Sequence, residues 1–126
     1  MARILVIDDD KLVRLTIKQM LEGAGHEVSI ATDGEDGLRQ FRESAPDLVI
    51  CDVFMPKKSG IATLKALRGV NADVPVIVMT GGSPGLVRGS TAPVDYLALA
   101  KLLGAAGTIA KPFRAAALID MIQRCL

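Results

Sequence analysis

The chain has 126 residues, of which 50% are hydrophobic and 23% are charged, and its formal net charge is +1. This composition is typical of one globular domain and excludes disordered and fibrous proteins. The balanced charge argues against nucleic-acid or membrane-surface binding, and the longest apolar runs are too short to span a membrane. The N-terminus is not typical of a signal peptide and two cysteines make no disulfide framework, so we expect a cytoplasmic protein.

Five short apolar runs alternate with longer segments whose apolar residues recur every three or four positions. The short runs are typical of strands buried on both faces of a parallel sheet, and the longer segments of amphipathic helices. The predicted strands are Ile4–Ile7, Val28–Ala31, Leu48–Cys51, Val76–Met79 and Thr108–Ala110. The predicted apolar helix faces are Val13, Ile17 and Met20; Leu38, Phe41 and Ala45; Ile61, Leu64 and Leu67; and Leu118, Ile119 and Ile122.

Polar residues and glycines predict where the helices begin and end. One segment interrupts the alternation, because residues 81–93 form a long stretch rich in Gly, Ser and Pro. A loop of that length in a small domain is commonly mobile or functional. A further helix is expected from about Val94 to Gly104. The expected N-caps are Asp10, Asp33 and Ser59, and the expected helix-terminating glycines are Gly23, Gly25 and Gly104.

The alternation of strands and helices predicts the fold class. We expect an α/β domain over residues 1–126, with a doubly wound five-stranded parallel sheet flanked by helices on both faces. In such sheets, ligands bind at the carboxyl ends of the strands, where the strand order reverses. The side chains expected to meet at this edge are Asp8 and Asp9 after the first strand, Asp52 after the third, Thr80 after the fourth and Lys111 after the fifth.

These residue types predict phosphoryl chemistry. Crowded carboxylates repel one another and need a cation, and an all-oxygen ligand set suits Mg²⁺. An aspartate carboxylate can act as the nucleophile on phosphorus, while the Lys111 ammonium and the Thr80 hydroxyl could each contact an oxygen of the transferring group. Gly81 would leave room for that group. The alternative is that these residues are helix caps and a structural ion pair, but their place at strand ends favours function.

Four motifs in chain order resemble one known family. They are IDDD after the first strand, D-x-x-M-P-x-x-S-G from Asp52 to Gly60, MTGG at 79–82 and KPF at 111–113. Together they resemble the two-component response-regulator receiver domain (CheY-like), and the match covers essentially the whole chain. The resemblance implies the flavodoxin-like receiver fold and a phosphorylation-dependent signalling switch.

The resemblance also implies a role for each acidic residue of the site. Asp52 matches the residue that accepts a phosphoryl group from a histidine kinase or a histidine phosphotransfer protein. Asp8 and Asp9 match the pair that holds Mg²⁺, directly or through water. The side chain of Asp52 and the main-chain carbonyl of Phe54 would complete the protein ligands.

Thr80 matches the switch hydroxyl of the family, and Lys111 matches the lysine that pairs with the phosphoryl group. The bond between Lys111 and Pro112 is cis in such domains. A receiver is not a turnover enzyme, although it catalyses its own phosphorylation and dephosphorylation. The implied partners are the phosphodonor protein and a downstream protein target, with no nucleic acid and no membrane, and the chain would be a monomer or a weak homodimer.

Two features depart from the family pattern. Thr108 occupies the position, three before the lysine, where the family usually has an aromatic residue. The loop at 81–93 is also longer than usual, and we hypothesise that Tyr96 or this loop relays phosphorylation instead. Phe54 and Gly82 flank the phosphoryl position, and since neither side chain can orient a hydrolytic water, we predict slow self-dephosphorylation.

Several alternatives stay open at this point. Thr108 and the long loop leave room for a receiver-like interaction module that signals without phosphate. A phosphatase of the haloacid dehalogenase type is disfavoured, because it needs a second aspartate at the position of Phe54. We interpret Asp10 as an N-cap rather than a metal ligand, His26 as a solvated turn residue and Cys51 as a buried apolar residue. Since the sequence ends just after the last helix, we expect a stand-alone or an excised receiver.

Overall fold

The positions of five strands and four helices are given by a computed structural model that describes residues 1–52, 60–80, 101, 104–111 and 113–126. The five predicted strands are confirmed, and each begins or ends within one residue of its expected bounds. The described elements are β1 Arg3–Ile7, α1 Lys11–Gly23, β2 Glu27–Ala31, α2 Gly34–Ser44, β3 Leu48–Asp52, α3 Gly60–Val70, β4 Val76–Thr80, β5 Gly107–Ala110 and α4 Ala115–Cys125.

The five strands form one sheet in the order β2-β1-β3-β4-β5, and all four pairings are parallel. The chain passes from β1 to β2 on one side and then crosses to β3 on the other side of β1. The strand order therefore reverses between β1 and β3, which confirms the doubly wound sheet. This reversal brings the carboxyl ends of two neighbouring strands beside a potential binding crevice.

The helices cover both faces of the sheet, as predicted. Alternate side chains of β1 point to opposite faces, so the strand contributes to two separate cores. One core contains Leu5 and Ile7 with Phe41 of α2 and with Leu64 and Leu67 of α3. The other contains Ile4 and Val6 with Ile17 and Leu21 of α1 and with Leu118 and Ile122 of α4. Burial on both faces explains why the strands are almost continuously apolar.

The start of α1 is fixed by its N-cap. The side chain of Asp10 accepts hydrogen bonds from the backbone N–H groups of Leu12, at 2.9 Å, and Val13, at 3.4 Å. These are two of the orphan donors of the first helical turn. The interpretation of Asp10 as a cap is confirmed. Asp33 caps α2 in the same way, and Ser59 lies outside the described residues.

The end of α2 differs from the prediction. Ala45 was assigned to the apolar face of this helix, but α2 ends at Ser44 and Ala45 follows it as the C-cap, with a φ of 45°. This left-handed conformation is unusual for a residue other than glycine. The sequence has no glycine there, and the signal for the helix end was Pro46, since helices usually end at or before the residue that precedes a proline. By contrast, Gly25 lies just after α1 and has a φ of 90°, as expected of a glycine that follows a helix, and Gly104 has a φ of 89°.

His26 is less exposed than predicted. The residue is half-buried, and its Nδ1 accepts a hydrogen bond of 3.1 Å from the backbone N–H of Ala2. The ring therefore links the residue before β2 to the residue before β1, and the prediction of a solvated turn residue was wrong. The predictions for the 81–93 loop, for the helix from Val94 and for Tyr96 fall outside the described residues, except at Lys101 and Gly104.

Within the described ranges, no helix is long and apolar enough to cross a membrane.

We expect Gly37→Ala to destabilise the protein, because it disturbs the packing of α2 against β1. A Cβ at this position of α2 would clash with Cδ1 of Ile7 and lie 2.8 Å from its Cγ1, and Ile7 is fully buried. Either the buried Ile7 side chain or the helix would have to move, and overpacking of this kind lowers the free energy of unfolding by about 1–3 kcal/mol. Chemical denaturation measures the change.

Gly69→Ala is the matched control, because a Cβ at Gly69 of α3 would meet nothing within 4 Å. We expect that variant to be neutral or to gain up to about 1 kcal/mol from helix propensity. Equal losses in the two variants would contradict the close-packing account.

Candidate functional site

Three carboxylates meet where β1 and β3 end. Asp8 directly follows β1 and is fully buried, Asp9 is exposed, and Asp52 is the last residue of β3, with an exposed fraction of 5%. One carboxylate oxygen from each lies within 4.8 Å of the others. Since β1 and β3 are neighbours in the sheet, residues at their ends must lie close together. The structure thus brings together the three acidic side chains that the sequence places at this edge.

Lys111 brings a positive charge to the same place. Its Nζ donates a hydrogen bond of 2.8 Å to Oδ2 of Asp8 and one of 3.3 Å to Oδ2 of Asp52. Because Lys111 follows β5, its side chain must reach past the end of β4 to make these contacts. Burial alone would lower the pKa of Lys111, but the contacts with the two carboxylates outweigh burial and raise the pKa above its ordinary value. The ammonium is therefore charged at neutral pH.

The carboxylate of Asp8 is held from two sides. Its Oδ1 accepts a hydrogen bond of 2.9 Å from the backbone N–H of Asp10, and its Oδ2 accepts the bond from Lys111. The backbone N–H of Asp8 also donates to the carbonyl of Ala31 in β2, at 3.2 Å. A buried charge is tolerated when it is paired and hydrogen-bonded in this way. Asp8 therefore has a fixed orientation against Asp52.

Cys51 lies next to the site but does not contribute a reactive thiol. The residue is fully buried in β3, and burial raises the pKa of its thiol, with smaller contributions from the carboxylates of Asp52 and Asp8. A thiol in this environment stays protonated and unreactive. The interpretation of Cys51 as a small buried apolar residue is confirmed.

The charges in the site do not balance. Three carboxylates and one ammonium together carry a formal charge of −2. The carboxylates supply only oxygen ligands, and the exposed Asp9 leaves the cluster open to solvent, so the donor set fits a Mg²⁺ ion that keeps part of its water shell. The cluster could therefore hold Mg²⁺.

Several predicted site residues fall outside the described part of the chain. Phe54, Gly81, Gly82 and Pro112 are among them, and so the carbonyl ligand and the cis bond stay predictions. The backbone of Thr80 ends β4 at the same edge of the sheet, while its side chain is not described.

Sequence reasoning missed one residue that contacts the site. Arg14 lies at the end of the first turn of α1, and its Nη1 donates a hydrogen bond of 2.7 Å to the main-chain carbonyl of Asp8. Helical side chains tilt towards the helix N-terminus, which lets Arg14 reach back over the cap to the end of β1. The available signal was a basic residue one turn after the N-cap Asp10, beside the apolar positions Val13 and Ile17.

Thr108 lies on β5, half-buried, and pairs in register with Val78 of β4. The position that usually carries an aromatic ring in this family therefore has a small hydroxyl side chain next to the sheet. The usual movement of an aromatic ring has no counterpart at this residue.

The fold is a flavodoxin-like α/β domain with an acidic cluster at the carboxyl edge of its sheet, and comparison with known proteins gives the family. The family model for the response regulator receiver domain matches residues 4–123. The chain belongs to this family, whose members are signalling switches of two-component systems.

Similar proteins support this assignment. The chain is 44% identical over 80 residues, 64% of its length, to the transcriptional regulatory protein ZraR of Salmonella typhimurium, and covers 18% of that protein. It is 35% identical over 124 residues, 98% of its length, to the transcriptional regulatory protein PrrA of Mycobacterium leprae, and covers 49% of it. The chain thus spans half or less of these two relatives. A solved receiver domain from Clostridium thermocellum superposes with a TM-score of 0.88 and 35% identity, covering 99% of this chain and 94% of that one.

The stability of the protein should depend on the charge of Lys111 at alkaline pH. Because the pKa of Lys111 is raised in the folded state, its contribution to stability is complete below the ordinary value of 10.5. That contribution is lost as the pH rises through the folded-state pKa. We expect the free energy of unfolding, measured by urea denaturation without Mg²⁺, to fall more steeply above that pH in the wild type than in Lys111→Met. Parallel curves for the two proteins would contradict the ion-pair assignment.

Proposed function

We propose that Asp52 accepts a phosphoryl group from a phosphohistidine of a histidine kinase or a histidine phosphotransfer protein. The observation that carries this proposal is the meeting of Asp8, Asp9 and Asp52 with the Lys111 ammonium at one edge of the sheet. Acidic side chains alone would repel an anionic phosphoryl group. The combination of a nucleophilic carboxylate with a lysine and a cation-binding cluster is what phosphoryl transfer requires.

The proposed reaction breaks one bond and forms another at phosphorus. A carboxylate oxygen of Asp52 attacks the phosphorus atom, a P–O bond forms, and the P–N bond to the donor imidazole breaks. The imidazole nitrogen leaves with the electron pair and takes up a proton. Asp52 thereby becomes an acyl phosphate. Asp52 is nearly buried at the end of a strand whose register is fixed on both sides, so its carboxylate is positioned before the donor arrives.

Lys111 compensates the charge that accumulates in this reaction. Its Nζ already lies 3.3 Å from Oδ2 of Asp52, so a phosphoryl group on that carboxylate would meet the ammonium at once. The bond from Nζ to Asp8 holds the ammonium beside Asp52 before the donor enters. By family resemblance, the hydroxyl of Thr80 would hydrogen-bond another phosphoryl oxygen.

Asp8, Asp9 and Asp52 would hold Mg²⁺, with the main-chain carbonyl of Phe54 as a further ligand by resemblance. The ion would supply the positive charge that the ammonium alone leaves missing. The exposed Asp9 lies on the solvent side of the cluster, which is the side from which a phosphodonor approaches.

We propose that residues 1–126 form one receiver domain. Phosphorylation of Asp52 would control the binding of this domain to a downstream protein target. Relatives named as transcriptional regulatory proteins are consistent with such a target. The receiver would catalyse its own phosphorylation and dephosphorylation without being a turnover enzyme. Its cytoplasmic location and its state as a monomer or weak homodimer stay predictions, as does slow self-dephosphorylation.

We predict that the protein gains the mass of one phosphate when it is incubated with acetyl phosphate and Mg²⁺. The gain should be absent in EDTA and absent in Asp52→Asn, because the amide is not a nucleophile towards phosphorus. Intact-protein mass spectrometry measures both. Asp120→Asn is the matched control, since Asp120 is an exposed carboxylate on α4 that pairs with Arg124 and not with a residue of the site.

A gain in Asp52→Asn equal to that of the wild type would exclude Asp52 as the acceptor. If no protein gains mass from acetyl phosphate or from a phosphorylated histidine protein, the chain would instead fit the interaction module that signals without phosphate. This second function is favoured by Thr108, which stands where the family usually has an aromatic residue.

A further inference from the structure

The backbone carbonyl of Asp8, at the end of β1, finds no hydrogen-bond donor among the described residues of the neighbouring strand β2. The N–H of Asp8 donates to the carbonyl of Ala31, the last residue of β2. In a parallel pair, the N–H and the C=O of one residue point to the same neighbouring strand, so the carbonyl of Asp8 points to where β2 has already ended. Buried carbonyl groups are almost always paired. Here the guanidinium of Arg14 supplies the donor, at 2.7 Å.

The hydrogen bond acts on the peptide group that joins the two acidic residues. The carbonyl of Asp8 belongs to the Asp8–Asp9 peptide, which is planar. Holding that oxygen sets the orientation of the plane, and the plane sets the direction in which the chain continues to Asp9. Asp8 has further restraints, through Asp10 and Lys111, on its own carboxylate. Asp9 is exposed, and the structure gives its side chain no restraint of that kind among the described residues.

Arg14 is not placed there by an ion pair. None of the ion pairs between described residues includes it, and its contact with the site is to a neutral carbonyl. Its Nε is buried and has no hydrogen-bond partner among the described residues. A buried, unpaired N–H is unfavourable, so the side chain adopts this position at a cost that its Nη1 contact must offset.

We propose that Arg14 is a positioning residue for the metal-binding carboxylates. Its hydrogen bond to the Asp8 carbonyl fixes the Asp8–Asp9 peptide, so that the Asp9 carboxylate lies within reach of Asp8 and Asp52. This inference rests on the proposed function, because it takes the three carboxylates as the Mg²⁺ site. It adds a residue of α1 that is not itself a ligand.

The charge of Arg14 and its hydrogen bond predict opposite changes in Mg²⁺ affinity when the residue is replaced. Removing a positive charge beside three carboxylates would by itself strengthen the binding of a divalent cation. Removing the hydrogen bond would weaken binding, because Asp9 would no longer be held towards its partners. The direction of the change in Mg²⁺ affinity therefore separates the two roles.

The test is a calorimetric titration of the full chain with MgCl₂ at a temperature where every variant is folded. Arg14→Met removes both the charge and the donor, Arg14→Gln keeps a shorter neutral donor, and Arg14→Lys keeps the charge and a donor on a different geometry. Lys18→Met is the matched control, because it removes a positive charge from the same helix one turn further from the site. Unfolding without Mg²⁺ is measured in parallel, to record any loss of stability.

We expect the Kd for Mg²⁺ to rise about tenfold in Arg14→Met, at the lower end of the range for residues that orient metal ligands. Arg14→Lys and Arg14→Gln should lie between that variant and the wild type, and Lys18→Met should match the wild type. A Kd that is unchanged or lower in Arg14→Met would overturn the proposal, even if the variant is less stable. An equal rise in Lys18→Met would also overturn it.

Mg²⁺ binding and phosphorylation of the wild-type protein show whether the positioning role of Arg14 or the proposed metal site has failed. If the wild type binds Mg²⁺ and is phosphorylated while the Arg14 variants bind Mg²⁺ equally well, only the positioning role fails. If the wild type binds no Mg²⁺, the proposed metal site fails, and the role of Arg14 fails with it.

Discussion

The repulsion among three carboxylates is the constraint on which the rest of the site depends. Asp8, Asp9 and Asp52 are brought within 4.8 Å of one another because they end two neighbouring parallel strands. At such distances like charges oppose folding unless cations are close. Lys111 offsets one of the charges by contacting two of the carboxylates, and a formal charge of −2 is left. A divalent cation such as Mg²⁺ would neutralise this excess negative charge and could also bind the oxygens of a phosphoryl group. For this reason the site supports phosphoryl transfer.

The fold tolerates the repulsion among these carboxylates because the strands that position them are firmly packed. Every residue of β3 is buried, and β1 packs into a core on each face of the sheet. The first helix begins on a capped turn directly after the acids, so Asp10 and Arg14 both hold the end of β1 from the helix side. Strand ends held in this way keep repelling carboxylates in place where a loop would let them separate.

Much of this could be read from the sequence, since the main signals are local. The short apolar runs predict the strands, and the acids and lysine that follow them predict the edge where they meet. What sequence reasoning missed depends on three-dimensional contacts. The hydrogen bond from Ala2 to His26 links the residues just before two strands that are far apart in the sequence, and the reach of Arg14 back to Asp8 depends on how α1 leaves the sheet. Ala45 adopts a conformation that favours glycine, so the helix end was indicated only by Pro46, which follows it.

The central claim is that Asp52, and neither of the other two carboxylates, takes the phosphoryl group. Borohydride reduction of an aspartyl phosphate leaves homoserine at the modified position, and peptide mass spectrometry then locates it. After incubation with acetyl phosphate and Mg²⁺, our account predicts homoserine at position 52 alone, with Asp8 and Asp9 unchanged. Homoserine at position 8 or 9, or phosphate recovered on another side chain, would contradict it.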